Sequence, residues 1–243
     1  DGLLLDSETL YTKITDEILA PYNKQLTWEI KSLLMGRPAL ESASILVERT
    51  GIPMSAETLI SAMFKRQQVL FPTVNPMPGA VRLVNHLAEQ KIPIVIATGS
   101  VRRNFQLKSM NLPELFSHFK DHVICGDDPE LKRGKPNPDP FLLAAHRHLG
   151  LNINPDPVTG FYDLPKDIES HFEGIKPEEI LVFEDGLAGV RSAKAAGMKV
   201  IWVPDPELKK LPVAPENKDI VADQTLNSLK DWDGSFWNLV PLP

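Results

Sequence analysis

The chain has 243 residues, 42% of them hydrophobic and 24% charged, with a formal net charge of -6. That suffices for one large or two modest soluble domains, and the acidic balance argues against a nucleic-acid polymer as the main partner. A single cysteine, Cys125, leaves no internal disulfide framework, and no apolar run approaches the ~20 residues of a membrane span, so the expectation is a cytoplasmic monomer without a membrane partner.

The chain opens on DGLLLDSE (1–8), which reads as a turn at the end of a strand. Residues 7–71 read as helical. Ser7 is the expected cap, and Leu10, Ile14, Ile18 and Leu19 recur at helical spacing. Further helices fit 27–34, 38–50 and 56–70. The stretch FPTVNPMPG (71–79), with three prolines and a glycine, reads as a linker. A helix fits 79–90.

The pattern then changes. IPIVIAT (92–98), HVICGDD (122–128), EILVFED (179–185) and KVIWVPD (199–205) are short apolar runs of the kind buried on both faces of a parallel sheet. GLAGVRSAKAAGM between the last two reads as a helix closed by Gly197, which makes a βαβ unit. The fold class expected is α/β, a Rossmann-like parallel sheet split by a small α-helical domain. Its core is 1–8 plus 78–243, and its helical domain is 9–77. Residues 151–178 read as a proline-bearing surface insertion.

In open α/β sheets ligands bind beyond the carboxyl ends of the strands. Asp1-Gly2, Thr98-Gly99-Ser100, the loop with Lys135, and Glu184-Asp185-Gly186 all belong at that rim. Taken singly, each has an ordinary explanation as a turn acid, a helix cap or a surface lysine. Four such groups in order at one sheet edge read instead as a metal and phosphate site. Clustered carboxylates call for a hard cation such as Mg²⁺, amides at a helix start suit phosphate oxygens, and a lysine neutralises both. The six histidines form no zinc-ligand spacing.

These motifs resemble the haloacid dehalogenase-like hydrolases. DGLLLDSE matches the second half of the family's first motif, ATGS (97–100) the second, GKPNPDPF (134–141) the third and FEDGLAGV (183–190) the fourth. Within the family, SLLMGRPALESASILVE (32–48), GIPMSAETL (51–59) and GDDPELKRGKPNPDPF (126–141) are similar to the eukaryotic pseudouridine 5'-phosphatases. The insertion at 151–178 and the stretch VRRNFQLKS (101–109) depart from that pattern.

The resemblance implies a Mg²⁺-dependent phosphatase working through an aspartyl-phosphate. The family's nucleophilic Asp falls two positions ahead of Asp1, so the expectation is an active enzyme cut just before Asp1. Asp1 is implied as acid and base, and its carbonyl as a metal ligand with Asp185 and Glu184. Thr98 and Lys135 are implied as catalytic groups, with Gly99 and Ser100 binding the phosphoryl group.

In the helical domain, Arg37 is either a substrate contact or a surface arginine. Glu8 is either a leaving-group contact or a first-turn helix charge. Phe183 and Trp202 read as core. Pseudouridine 5'-phosphate leads as the small phosphorylated substrate. Another sugar or polyol phosphate, a phosphomutase reaction, and an inactive binding protein remain alternatives.

Overall fold

The computed structural model describes residues 1–34, 39–165, 167, 172–210 and 221–241. Four helices come first: α1 (Ser7–Leu19), α2 (Trp28–Leu34), α3 (Ala39–Thr50) and α4 (Ala56–Leu70). Their apolar stripes meet in a cluster of their own around Leu19, Ala43, Leu46, Ile52 and Leu59. The cap of α1 is Asp6, whose side chain accepts from the Thr9 amide, and not Ser7. Ser7 is instead fully buried, and its hydroxyl accepts the Gly2 N–H at 3.2 Å. A serine and an aspartate are both good caps, and here the tight turn at Gly2 claims the serine.

The remainder alternates strand and helix: α5 (Ala80–Glu89), β1 (Ile96–Ala97), α6 (Arg102–Ser109), α7 (Pro113–Phe116), β2 (Val123–Ile124), α8 (Asp139–Leu149), β3 (Leu181–Glu184), α9 (Leu187–Ala195), β4 (Lys199–Trp202) and β5 (Gln224–Thr225). Among the described residues the named strands pair in parallel, in the orders β1-β2 and β3-β4-β5. Helix α9 ends before Gly197, which takes φ +71, as expected of a helix-terminating glycine.

Leu3–Leu5 lie outside the parallel ladders of the described residues. Leu5 makes an antiparallel bridge to Pro76, the Leu4 carbonyl accepts from Met77 at 2.8 Å, and Asp6 N–H donates to Asn75 O at 2.9 Å. The opening segment is thus fastened to the 71–79 linker. A cavity of about 1700 Å³ runs beside it, lined from one side by Ile94 and Ile96 and from the other by Leu181 and Phe183.

The expectation of a mere surface insertion at 151–178 needs correction. Leu151, Ile153, Tyr162 and Phe172 are buried in one cluster with Ile124 and Leu142. Arg133 fastens the segment, donating to the Asp139 carboxylate at 2.9 Å, the Tyr162 carbonyl at 3.1 Å and Asp163 at 2.8 Å. Proline-rich spacing hid those apolar anchors.

A second clamp carries a pH-dependent expectation. Arg147 on α8 grips Asp128 through two hydrogen bonds, at 2.7 and 3.0 Å, and these hold the Asp128 carboxyl below its usual value. A depressed carboxyl contributes stability that is present above its unfolded value of about 3.9 and is lost as pH falls through the folded one. Arg147→Ala is therefore expected to cost about 1–2 kcal/mol at pH 7, less than for a fully buried pair because Arg147 keeps contact with solvent. That cost should shrink as pH drops below about 4. Thermal melts across that range check it.

Among the described residues no helix is long and apolar enough to cross a membrane.

Candidate active site

The carboxyl ends of β1 and β3 face the same space, and the chain delivers polar groups there from five places. After β1, Thr98 Oγ1 accepts the Ser100 N–H at 3.1 Å, which folds the Thr98-Gly99-Ser100 turn. The Ser100 carbonyl accepts from the Gly126 N–H at 2.9 Å. A Cβ on Gly126 would run into the Gly99 carbonyl, so only glycine lets the two loops approach this closely. Asp1 is brought in from the opening turn, where Gly2 adopts φ +60 and lies against the Asp185 carboxylate.

Two lysines divide the site. Lys135 is ion-paired with Glu184 and donates to the Ala97 carbonyl at 3.0 Å. Glu184 is buried, and its second oxygen accepts the Asp185 and Gly186 amides at 3.1 and 3.3 Å. Its carboxyl group packs where a Cβ of residue 189 would sit, so Gly189 is what admits it. Lys108 is ion-paired with Asp1 and donates to Ser100 Oγ at 2.8 Å; Ser100 Oγ in turn donates to the other Asp1 oxygen at 2.6 Å.

The electrostatics follow from burial. Burial first, then the neighbouring Glu184 carboxylate, pushes the Asp185 carboxyl up to about 7. Burial pulls the Lys108 ammonium down to about 7 against the nearby Glu8 carboxylate, which holds it up. The Tyr11 hydroxyl is raised to about 12 by burial.

The sequence-expected residues therefore sort as follows. Asp1, Thr98, Gly99, Ser100, Lys135, Glu184 and Asp185 all line one cavity. Glu8 lines it too, from the first turn of α1, and pairs at 3.1 Å with Lys31 of α2. Arg37 lies outside the described residues. Phe183 packs in the core, and Trp202 is half-buried with its indole N–H donating to the Asp185 carbonyl at 2.9 Å. Lys108 and Lys31 escaped the sequence reading. Each is one lysine in a helical stretch, and only the folded chain reveals what it touches.

Asp185 is the carboxylate at this rim that could hold a hard cation: it is crowded by Glu184 and stands beside the Asp1-Gly2 turn. Mg²⁺ characteristically uses one or two carboxylates and keeps several waters. Among the described residues no group of three or more His, Cys, Asp or Glu is placed to hold a metal ion.

Comparison with known proteins gives four findings. A family model described as haloacid dehalogenase-like hydrolase matches residues 1–197. The chain is 44% identical over 243 residues to "(DL)-glycerol-3-phosphatase 2" of Arabidopsis thaliana, covering 99% of this chain and 89% of that protein. It is 39% identical over 233 residues to "Probable pseudouridine-5'-phosphatase" of Drosophila melanogaster, covering 96% and 88%. Among solved structures, a haloacid dehalogenase family hydrolase of Deinococcus radiodurans R1 with bound phosphate and sodium superposes with a TM-score of 0.70. That pair is 21% identical, with 99% of this chain and 95% of that one covered, and it bears on the fold.

Proposed function

The chain belongs to the haloacid dehalogenase-like hydrolases, and on that premise we propose that it hydrolyses a small phosphomonoester, glycerol 3-phosphate or a similar polyol phosphate, with Mg²⁺ and through an aspartyl-phosphate. The observation that carries the chemistry is the convergence of Asp1, Ser100, Lys135, Glu184 and Asp185 on one cavity. The 44% identity to a glycerol-3-phosphatase against 39% to a pseudouridine-5'-phosphatase homologue puts the polyol ahead of the nucleotide. Pseudouridine 5'-phosphate, favoured by the motif resemblance, is the second reading.

In this mechanism the attacking carboxylate belongs two positions ahead of Asp1, outside these 243 residues. Asp1, once protonated, gives that proton to the departing alcohol oxygen, then takes one from the water that releases phosphate, so one residue serves both half-reactions. Its contact with Ser100 supports that role, because it keeps the carboxyl beside the phosphoryl-binding turn. Thr98 folds that turn. The amides from Gly99 onward offer donors to phosphoryl oxygens, while the Ser100 hydroxyl holds the Asp1 carboxyl. Lys135, held by Glu184 and the Ala97 carbonyl, supplies fixed positive charge. Mg²⁺, held by Asp185 and the Asp1 carbonyl, would neutralise charge on the transferring group. Glu8 and Lys31, an ion pair that lines the same cavity, are the candidates for contact with the leaving alcohol.

Steady-state kinetics with and without Mg²⁺, on glycerol 3-phosphate and pseudouridine 5'-phosphate, test the reading in a protein carrying the upstream Asp. The expected result is Mg²⁺-dependent turnover with kcat/KM at least about tenfold higher for glycerol 3-phosphate, a difference of about 1.4 kcal/mol. The reverse order would favour the nucleotide reading, and no release of phosphate from any phosphomonoester would end both.

A further inference from the structure

The mechanism above leaves one buried cation without a task. Lys108 has only 2% of its side chain exposed. A buried ammonium costs several kcal/mol unless it is paired and hydrogen-bonded, so its partners say what it is for. They are the carboxylate of Asp1 and the hydroxyl of Ser100, both in the proposed reaction centre.

The three groups close a ring. Lys108 Nζ pairs with one Asp1 oxygen and donates to Ser100 Oγ, and Ser100 Oγ donates to the other Asp1 oxygen at 2.6 Å. Every edge is charge-assisted or ends on a charged group, the strong kind of hydrogen bond. Helix geometry explains how a residue eight positions after Ser100 gets there. Side chains on a helix lean toward its N-terminus, so a long side chain near the end of α6 reaches back to the loop that starts it. The walls are aromatic: Nζ lies 5.1 Å from the centre of the Phe71 ring and 5.6 Å from that of Tyr11. Those rings favour a cation and limit water, which keeps the ring of three from being dissolved by solvent.

Resting on the function proposed above, we infer that Lys108 is the positioning residue for Asp1 and Ser100. It fixes the proton-transferring carboxyl and the hydroxyl that holds it in one arrangement and touches no substrate atom itself. Lys135 has the parallel task on the other side, holding Glu184. The two lysines thus serve different halves of the site, and neither can stand in for the other.

The test uses a protein that carries an Asp two positions ahead of Asp1. Lys108→Met keeps the volume and removes the charge. Its kcat for p-nitrophenyl phosphate should fall by about a hundredfold or more, the usual worth of a well-placed acid–base group, with KM changed less than about threefold. Lys108→Cys, folded and then aminoethylated, restores an ammonium on a side chain of nearly lysine length. It should recover most of the lost kcat, with parent enzyme treated alongside as the control for the buried Cys125.

A crystal structure of Lys108→Met gives a readout independent of turnover. The Asp1 carboxyl should leave Ser100. Turnover within about threefold of the parent, a loss that aminoethylation does not repair, or an unmoved Asp1–Ser100 pair would each overturn the assignment. A parent enzyme inactive on every phosphomonoester would sink the functional reading instead, and the crystal structure would then decide the positioning alone.

Discussion

Lys135→Met is expected to abolish nearly all turnover and to destabilise the protein at the same time. Fixed positive charge aimed at a transferring phosphoryl group is worth about 10²–10³ in kcat per donor, and Lys135 is the cation already placed between the Ala97 carbonyl and the acids after β3. The stability loss has a separate cause. Removing the ammonium strands Glu184, which is only 6% exposed, and an uncompensated buried charge costs about 3–5 kcal/mol. The Asp185 and Gly186 amides still bind one Glu184 oxygen, which places the loss near the lower end of that range. The double variant Lys135→Met/Glu184→Gln separates the two effects. It should regain most of the melting temperature and none of the kcat. Recovery of kcat in the double variant would mean that Lys135 matters only as a counter-charge to Glu184.

Asp185→Asn should move activity and stability in opposite directions. Losing a ligand carboxylate should lower kcat by about 10²–10³ and shift the Mg²⁺ titration to higher concentration, because a cation worth several kcal/mol of charge stabilisation is held less well. Without Mg²⁺, the same change should raise the melting temperature above pH 7. The sign comes from the Asp185 carboxyl being pushed up to about 7 by burial and by Glu184. Its folded value lies above an unfolded one of about 3.9, so stability drains away as pH rises between the two and stays lost above. An asparagine cannot ionise and escapes that loss. Unchanged Mg²⁺ titration would return Asp185 to the status of a turn residue. A lower melting temperature would mean that its charge is better compensated than the geometry implies.

Much of the site was legible before folding because it is made of strand ends. Thr98, Ser100, Glu184 and Asp185 follow short β-branched runs, and topology alone brings such positions to one rim. The ladders themselves are shorter than the apolar runs: Ile96–Ala97 is paired where 92–98 is apolar, since apolarity reports burial and not hydrogen bonding. Lys108 was illegible for a different reason. In VRRNFQLKS a lysine near a helix end looks like a solvated charge favoured by the dipole. What distinguishes it is that α6 starts at the catalytic turn and runs so that its last turn points back at Asp1, a fact of three dimensions. The anchors of 151–178 were hidden likewise, because Leu151, Ile153, Tyr162 and Phe172 have no common period.

The bond from Trp202 to the Asp185 carbonyl has an optical side. Indole emission shifts in colour and yield when the field around the ring changes, and this indole is tethered to the backbone of the acid-bearing turn. The chain has four tryptophans. Trp28 lies under Lys31, and Trp237 donates to Gln224. Trp232 packs beside Phe183 and His86. Trp202 is the one hydrogen-bonded to that turn among the described residues. With Trp202→Phe as the blank, the protein carries its own fluorophore at the Asp185 turn, and events there can be followed by light without a coloured substrate.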